Sequence, residues 1–587
     1  MSDLILLPTP KIVEHINCQA VKTDIFPSVE YVSGFDDEEY DILINTDGVF
    51  VKCKGELGKY RAKSTLAQID AQSDKISGGL HIHDKPDFAH RGIMLDISRS
   101  KVPTLETLYK VVDILSAIKI NELQLYVEGF SFAYESFPQV WQDRTPITGE
   151  EIKLLDKYCK DRFIELIPNQ NCFGHMGHWL EREEFRHLAE CPEGFQLDRW
   201  DYLGPHCLDP QNPETFEFVK KLFDDILPNF SSKIVNINCD ETHELGKGKN
   251  RELCENIGKH RVYLDFLLKV IDYVKKDKEK VMFWGDIVLR APDELLREIP
   301  KNVIAVNWGY NDKTPSEESC QKFEQAGVTY YNAPGTSSWN TILGNTDQYM
   351  NNIDNAVYRG LAHGASGILT TDWGDLNHLQ YLPFSYPGFV YSAAKSWNVA
   401  ENVREEIAPY LNKFVFKDKS NTFAQLMLRA GRYHSVADFS KTLRGLIIGI
   451  LYYPLEGEKW APLGEGFEKS EIKKLTNELS SIKCELDNIF PECEDAKLLR
   501  DEFYNAIRIM EYTCSCALYK SGNYIGNKQE HIEYLRELQN VFLPEHERVW
   551  LARNRKGGLE ESVRRMKKVD MPLSEFGKFY PFSKDFD

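Results

Sequence analysis

The chain has 587 residues, a formal net charge of −19, 42% hydrophobic residues and 12% aromatic residues. That acidic balance excludes a general binder of nucleic acid or of an anionic membrane, both of which call for positive charge; it suits a neutral substrate. The length allows about four domains at ~150 residues each, or fewer where a barrel takes ~250.

No run of about 18 apolar residues suggests a spanning helix. The segment 1–13 lacks the basic start and long apolar core of a secretory leader. The 13 cysteines are scattered, which points to free thiols in a reducing cytoplasm. Cys514 and Cys516, two apart on an expected helix, face different ways and make no metal site.

Residues 1–88 read as a small α/β domain. A strand is expected over 41–46, a hairpin partner over 48–54 and a helix over 60–69, with Leu66 and Ile69 on its apolar face. Arg61 and Lys63 are expected as solvated helix residues. From residue 89 to about 400, short apolar strands alternate with helices. Eight strands are expected, at 92–97, 122–127, 164–168, 234–238, 281–284, 303–308, 328–332 and 367–372. Helices over 104–118 and 261–274 carry apolar residues at helical spacing. Eight strands with intervening helices predict a (β/α)₈ TIM barrel. Residues 401–587 predict a helical domain, with helices over 470–483, 497–518 and 530–541. The stretch 421–453 begins that bundle or closes the barrel. A turn-rich basic patch over 550–559 is an exposed helix terminus or a segment that reaches the barrel mouth.

Polar and aromatic residues collect just beyond the strand ends. Asp96 and Arg99 lie at the end of the first strand, Glu128 after the second, and Gly174, His175 and His178 after the third. Asp240, Glu241 and His243 come after the fourth. Trp284 and Asp286 close the fifth, Trp308 and Tyr310 the sixth, Trp339 and Asn340 come after the seventh, and Trp373 and Asp375 end the eighth. In this architecture the C-terminal strand ends carry the chemistry. Two adjacent carboxylates held by a buried strand suit acid/base work, although Asp240 is also placed to cap a following helix. Indoles interspersed with carboxylates suit a sugar ring, whose C–H faces stack while its hydroxyls bond.

The stretch 91–99 (Arg-Gly-Ile-Met-Leu-Asp-Ile-Ser-Arg), the pair Asp240-Glu241, and the segments 7–11 and 60–69 together resemble glycoside hydrolase family 20, the β-N-acetylhexosaminidases, in a divergent bacterial-type branch. The resemblance covers roughly residues 5–400. It implies exo-acting, substrate-assisted retaining hydrolysis of terminal β-linked GlcNAc or GalNAc. Glu241 would be the general acid/base, with a raised pKa. Asp240 would orient the 2-acetamido group, whose oxygen attacks the anomeric carbon. Arg91 would bind sugar hydroxyls at the pocket floor and His175 would stand near the acids. Trp284 would line the acetamido side, Trp373 would lie under the ring, and Asp375 would accept a hydroxyl. Glu128, Asp286 and Trp308 complete the expected substrate-binding set. The family's Tyr after the seventh strand is replaced here by Ser338-Trp339-Asn340, so Trp339 or Asn340 takes that role. Its small residues before the acid pair are replaced by Asn238-Cys239.

No cofactor and no metal are expected. The expected partner is an N-acetylhexosamine-containing glycan, with no nucleic acid or membrane, and a homodimer is compatible with the sequence. Two readings compete. One is a two-carboxylate glycosidase with Glu128, Asp286 or Asp375 as nucleophile. The other is a carbohydrate-binding barrel without activity.

Overall fold

The structure is a computed structural model that describes residues 4–18, 27–73, 78–197, 202–375, 377–439, 447–452, 454–455 and 467–569. Eight parallel strands close a barrel: His90–Asp96, Glu122–Val127, Glu165–Gln170, Ile234–Asn236, Lys280–Trp284, Val303–Trp308, Thr329–Ala333 and Gly367–Asp372. All eight expected strands are present, three with the expected bounds and five with ends shifted by one or two residues. The ring closes where Gly367 pairs with His90 and Asp372 with Leu95.

Helices come after most strands. Leu105–Ala117 starts at Thr104, whose side chain accepts the Thr107 N–H and so satisfies one of the free amides of the first turn. Lys259–Val274 buries Val262, Phe266, Leu267 and Val270, which share one helical face.

Inside the barrel, apolar side chains such as Met94, Ile167, Met282 and Leu369 pack around a chain of buried amides. Asn169 and Asn236 both donate to Gln124 Oε1, at 2.8 and 3.0 Å, and Asn238 donates to Asn169 Oδ1 at 2.8 Å. Buried amides persist only when paired. This ladder therefore fixes the barrel axis just below the site.

The N-terminal sheet has five strands, of which the expected hairpin, Tyr40–Asn45 with Gly48–Cys53, is the antiparallel centre. Helix Glu56–Asp70 covers it. Arg61 on that helix is not solvated as expected but fully buried. It ion-pairs with Glu38 at 2.6 Å, because this helix face packs toward the barrel instead of water.

The C-terminal helices Lys469–Leu486, Ala496–Lys520 and Lys528–Arg553 pack as a bundle continuous with the barrel's outer core. Cys514 and Cys516 are buried in the second of them. Of the stretch 421–453, Phe423–Ala430 and Tyr433–Val436 are helical, while 440–446 and Tyr453 lie outside the described residues. The basic patch is helical as far as Arg553, whose guanidinium pairs with buried Glu502 at 2.6 Å. The turn after it reaches the loops beyond the first two barrel strands. There Arg555 pairs with Glu151 at 2.7 Å and the Gly557 N–H donates to Thr145. Gly558 is required at that contact: a Cβ there would fall on the Ser100 carbonyl, and its φ is +79°.

Candidate active site

The fourth barrel strand is short and ends at Asn236, and the chain then turns sharply. Asn238, Cys239 and Glu241 all adopt left-handed backbone, with φ of 59°, 68° and 47°. Such conformations cost energy for residues with a Cβ and cluster at functional sites. They account for the family's small residues at the two positions before the acids. Here Asn238, which tolerates this region, and Cys239 stand instead, and each is tied down. The Asn238 carbonyl accepts the Trp284 N–H at 2.9 Å, and its Oδ1 accepts the Trp284 indole N–H at 2.6 Å. The Cys239 carbonyl accepts the Tyr263 hydroxyl at 2.8 Å. From the third strand, Gly174 passes so close that a Cβ would lie 2.1 Å from the Asp240 carbonyl.

The next residue, His175, is the hub of the site. Its Nε2 lies 3.3 Å from Asp240 Oδ2 and 3.2 Å from Glu241 Oε2, while Nδ1 is 3.8 Å from Glu128 Oε2. Burial pushes the imidazole toward neutrality, but Asp240 and Glu241 outweigh it and hold His175 well above the ordinary histidine value. The expectation of a raised pKa for Glu241 is corrected. Burial does push its carboxyl up, but hydrogen bonds from His175 and His243 win, and it is held below the usual carboxylate range. The proton of the pair therefore rests on His175.

Asp286 behaves oppositely. Burial, Asp240 and Glu241 push it up to about 7, although its Oδ2 accepts the Glu241 N–H at 3.3 Å. Asp240 Oδ1 is buried with no hydrogen-bond partner among the described residues, so an acceptor stands ready for a ligand N–H.

Beside the acids lies a cavity of about 220 Å³, lined by Arg99, His175, Asp240, Glu241, Trp284, Trp308, Tyr310, Trp339, Trp373 and Asp375. The aromatic wall is continuous. Trp308 stacks on Tyr310 with centroids 5.3 Å apart, Tyr310 meets Trp339 edge-on at 4.9 Å, and Trp373 leans on Trp284 at 5.8 Å. Asp375 is exposed at the rim.

Three expected residues stand elsewhere. Arg91 is not at the pocket floor. It sits at the start of the first strand, at the opposite barrel end, where it makes a bidentate pair with Glu38 at 2.7 and 2.8 Å and stacks on Trp397. The reason is strand polarity, since only residues past the C-terminal strand ends reach the mouth. Glu128 does not line the cavity. It is buried behind it, accepting from Arg99 at 2.9 Å and from the Tyr126 hydroxyl at 2.8 Å. Asp286 faces an adjoining groove instead. The side chain of Asn340 lies outside the described residues.

Arg99 and Tyr310, expected at strand ends but given no part in substrate binding, also line the cavity. Arg99 is held by Asp96 and Glu128 over the rings of Tyr126 and Trp373. The Tyr310 hydroxyl accepts the Trp373 indole N–H at 2.7 Å. The signal for Arg99 was available: it lies three residues beyond the strand end, whereas Arg91 lies at the strand's start. Among the described residues no group of His, Cys, Asp and Glu is arranged to hold a metal.

Residues 88–340 match the family model described as glycosyl hydrolase family 20, catalytic domain. Beta-hexosaminidase A of Caenorhabditis briggsae is 25% identical over 280 residues, which are 43% of this chain and 49% of that protein. Beta-hexosaminidase subunit beta of Rattus norvegicus is 26% identical over 295 residues, 47% and 53% of the two chains. The chain thus spans about half the length of these relatives. A beta-hexosaminidase of Akkermansia muciniphila is 24% identical over 470 residues, covering 70% of this chain and 90% of its own. The fold is shared with the solved Flavobacterium johnsoniae chitobiase, with a TM-score of 0.58 at 16% identity over 90% and 95% of the two chains. It is shared also with an exo β-N-acetylglucosaminidase from Vibrio harveyi, with a TM-score of 0.54 at 16% identity over 73% and 78%. Residues 88–340, which carry seven of the eight barrel strands and both acids of the site, are thus similar to the catalytic domain of glycosyl hydrolase family 20.

Proposed function

We propose that the chain is an exo-acting β-N-acetylhexosaminidase that removes terminal β-linked GlcNAc or GalNAc by substrate-assisted retention. The observation that carries the reading is the position of His175 Nε2, 3.3 Å from Asp240 Oδ2 and 3.2 Å from Glu241 Oε2, beside a cavity walled by indoles. Glu241 and His175 hold one proton between them. A sugar approaching Glu241 displaces its contact to the imidazole, and that proton passes through Glu241 to the glycosidic oxygen. Asp240 carries a free buried oxygen that accepts the acetamido N–H and steadies the positive charge that develops as the acetamido oxygen attacks. Glu241 then takes a proton from the incoming water. Arg99 and Asp375 meet ring hydroxyls, and Trp284, Trp308, Trp339 and Trp373 supply the stacking faces. Glu128 acts through Arg99 and His175, which leaves it no path to an anomeric carbon as a nucleophile.

The test pairs aryl 2-acetamido-β-glycosides with their 2-hydroxyl counterparts. Cleavage of the first and not of the second is expected; equal cleavage contradicts the reading. Running it in the gluco and galacto series also gives the C4 preference. The 13 free cysteines support a cytoplasmic location, which fractionation of the source cells tests.

A further inference from the structure

Beside the catalytic cavity lies a second, larger one of about 510 Å³. The two share Trp308, Tyr310 and Trp339 as a common wall. Asp286 lines the second and accepts the backbone N–H of Glu241, so the groove adjoins the loop that carries the proton donor. A leaving-group oxygen must stand within hydrogen-bond reach of Glu241. A groove adjoining that loop has room for the part of a substrate released by cleavage.

The groove is built to grip that part. It offers the two indoles, the side chains of Asn311 and Thr314, and a cation, Arg290. Trp308 Nε1 is buried with no partner among the described residues, leaving a donor on the shared wall. Arg290 is exposed, and no carboxylate among the described residues pairs with it. It also belongs to a positive patch in an otherwise acidic chain. Burial and repulsion from Lys259, Arg290 and Lys322 drive His260 below its ordinary value. Lys322 clamps the end of the short helix Asp286–Leu289, donating to the Leu289 and Ala291 carbonyls at 2.7 and 2.9 Å. The one carboxyl lining the groove, Asp286, is pushed up to about 7 by burial and by Asp240 and Glu241, so it carries only part of a negative charge near neutral pH.

We propose that this groove binds the sugar next to the one removed, and that Arg290 selects substrates in which that sugar carries an anionic group, a sulfate ester or a carboxylate. The inference rests on the proposed hexosaminidase activity.

The experiment compares kcat/KM for an aryl N-acetylhexosaminide with three disaccharides. All three carry the same terminal N-acetylhexosamine, linked to a neutral hexose, a uronate or a 6-O-sulfated hexose. The wild-type chain is expected to favour at least one acidic disaccharide over the neutral one by about fivefold, as one exposed ion pair allows, and this preference should shrink with added salt. Which acidic disaccharide is preferred identifies the source of the charge. Arg290→Ala should abolish the preference while leaving the aryl glycoside unchanged, and Arg290→Lys should retain part of it. Equal rates on the neutral and both acidic disaccharides overturn the proposal, as does an Arg290→Ala variant that slows all four substrates alike. Failure to cleave even the aryl glycoside would instead overturn the underlying activity.

Discussion

The Trp284 indole donates a 2.6 Å hydrogen bond to Asn238 Oδ1, and the same two residues are joined through their backbones at 2.9 Å. One strand end thus positions both an aromatic wall and the acid pair of its neighbour. Asn238 does this from a left-handed backbone position that glycine would occupy more cheaply. Asn238→Gly should therefore keep the fold but free Trp284, raising KM more than it lowers kcat. Asn238→Val adds a β-branched clash and strands the buried indole N–H; it should cost about 2–4 kcal/mol, read by chemical unfolding. A KM unchanged in Asn238→Gly would contradict the positioning role.

The two arginines of the first-strand motif should separate cleanly. Arg91→Met removes the pair that Glu38 makes across the interface between the N-terminal domain and the barrel, leaving Glu38 only Arg61 of its own domain. It should lower stability by about 3–5 kcal/mol, the cost of breaking a buried pair, with kcat/KM of the folded protein unchanged. Arg99→Met also strands buried carboxylates, Asp96 and Glu128, so it should cost a similar amount of stability, but it should in addition raise KM at least about tenfold. Steady-state kinetics alongside thermal unfolding decide between them.

The shared proton of His175 and Glu241 sets the alkaline limb of activity. His175 is held above its ordinary value of about 6.5, so kcat/KM should begin to fall only above that pH. In His175→Gln the proton must sit on Glu241 alone, and the limb should move down by about one unit or more. A limb that stays put would show that the pair does not act as one.

Asp286 gives a stability signature. Its folded value of about 7 lies above the ordinary carboxyl value of about 3.9. Its contribution to stability is therefore full below about pH 4 and lost as pH rises through 7. Asp286→Asn stays neutral throughout, so its Tm relative to wild type should rise by about 2–4 °C between pH 5 and pH 8. A constant difference across that range would contradict the assignment.

Much of the barrel was legible because its strands are apolar runs separated by helical periodicity, and the strand ends were legible because polar and indole residues recur there. Glu241, His175 and Trp373 emerge from that rule alone. Arg91 did not, because reading the motif without strand polarity picks the wrong arginine. Tyr310 was legible as a strand-end residue but its role was not, because that role depends on an indole from two strands away, Trp373. Arg61 was misread because amphipathic spacing shows which residues share a face, not that a charged residue on it meets Glu38. The lowered Glu241 value was equally out of reach, since it depends on His175 arriving from the loop after the third strand to join His243 of the acids' own loop.

In the proposed reaction the substrate's own acetamido oxygen attacks the anomeric carbon. The most direct measurement is kcat/KM across aryl glycosides whose N-acetyl group carries zero, one, two or three fluorines. Fluorine weakens the oxygen as a nucleophile and leaves its position nearly unchanged. A steep, progressive fall of about tenfold or more over the series, equivalent to ~1.4 kcal/mol in the barrier, is predicted. A flat series would contradict attack by the acetamido oxygen.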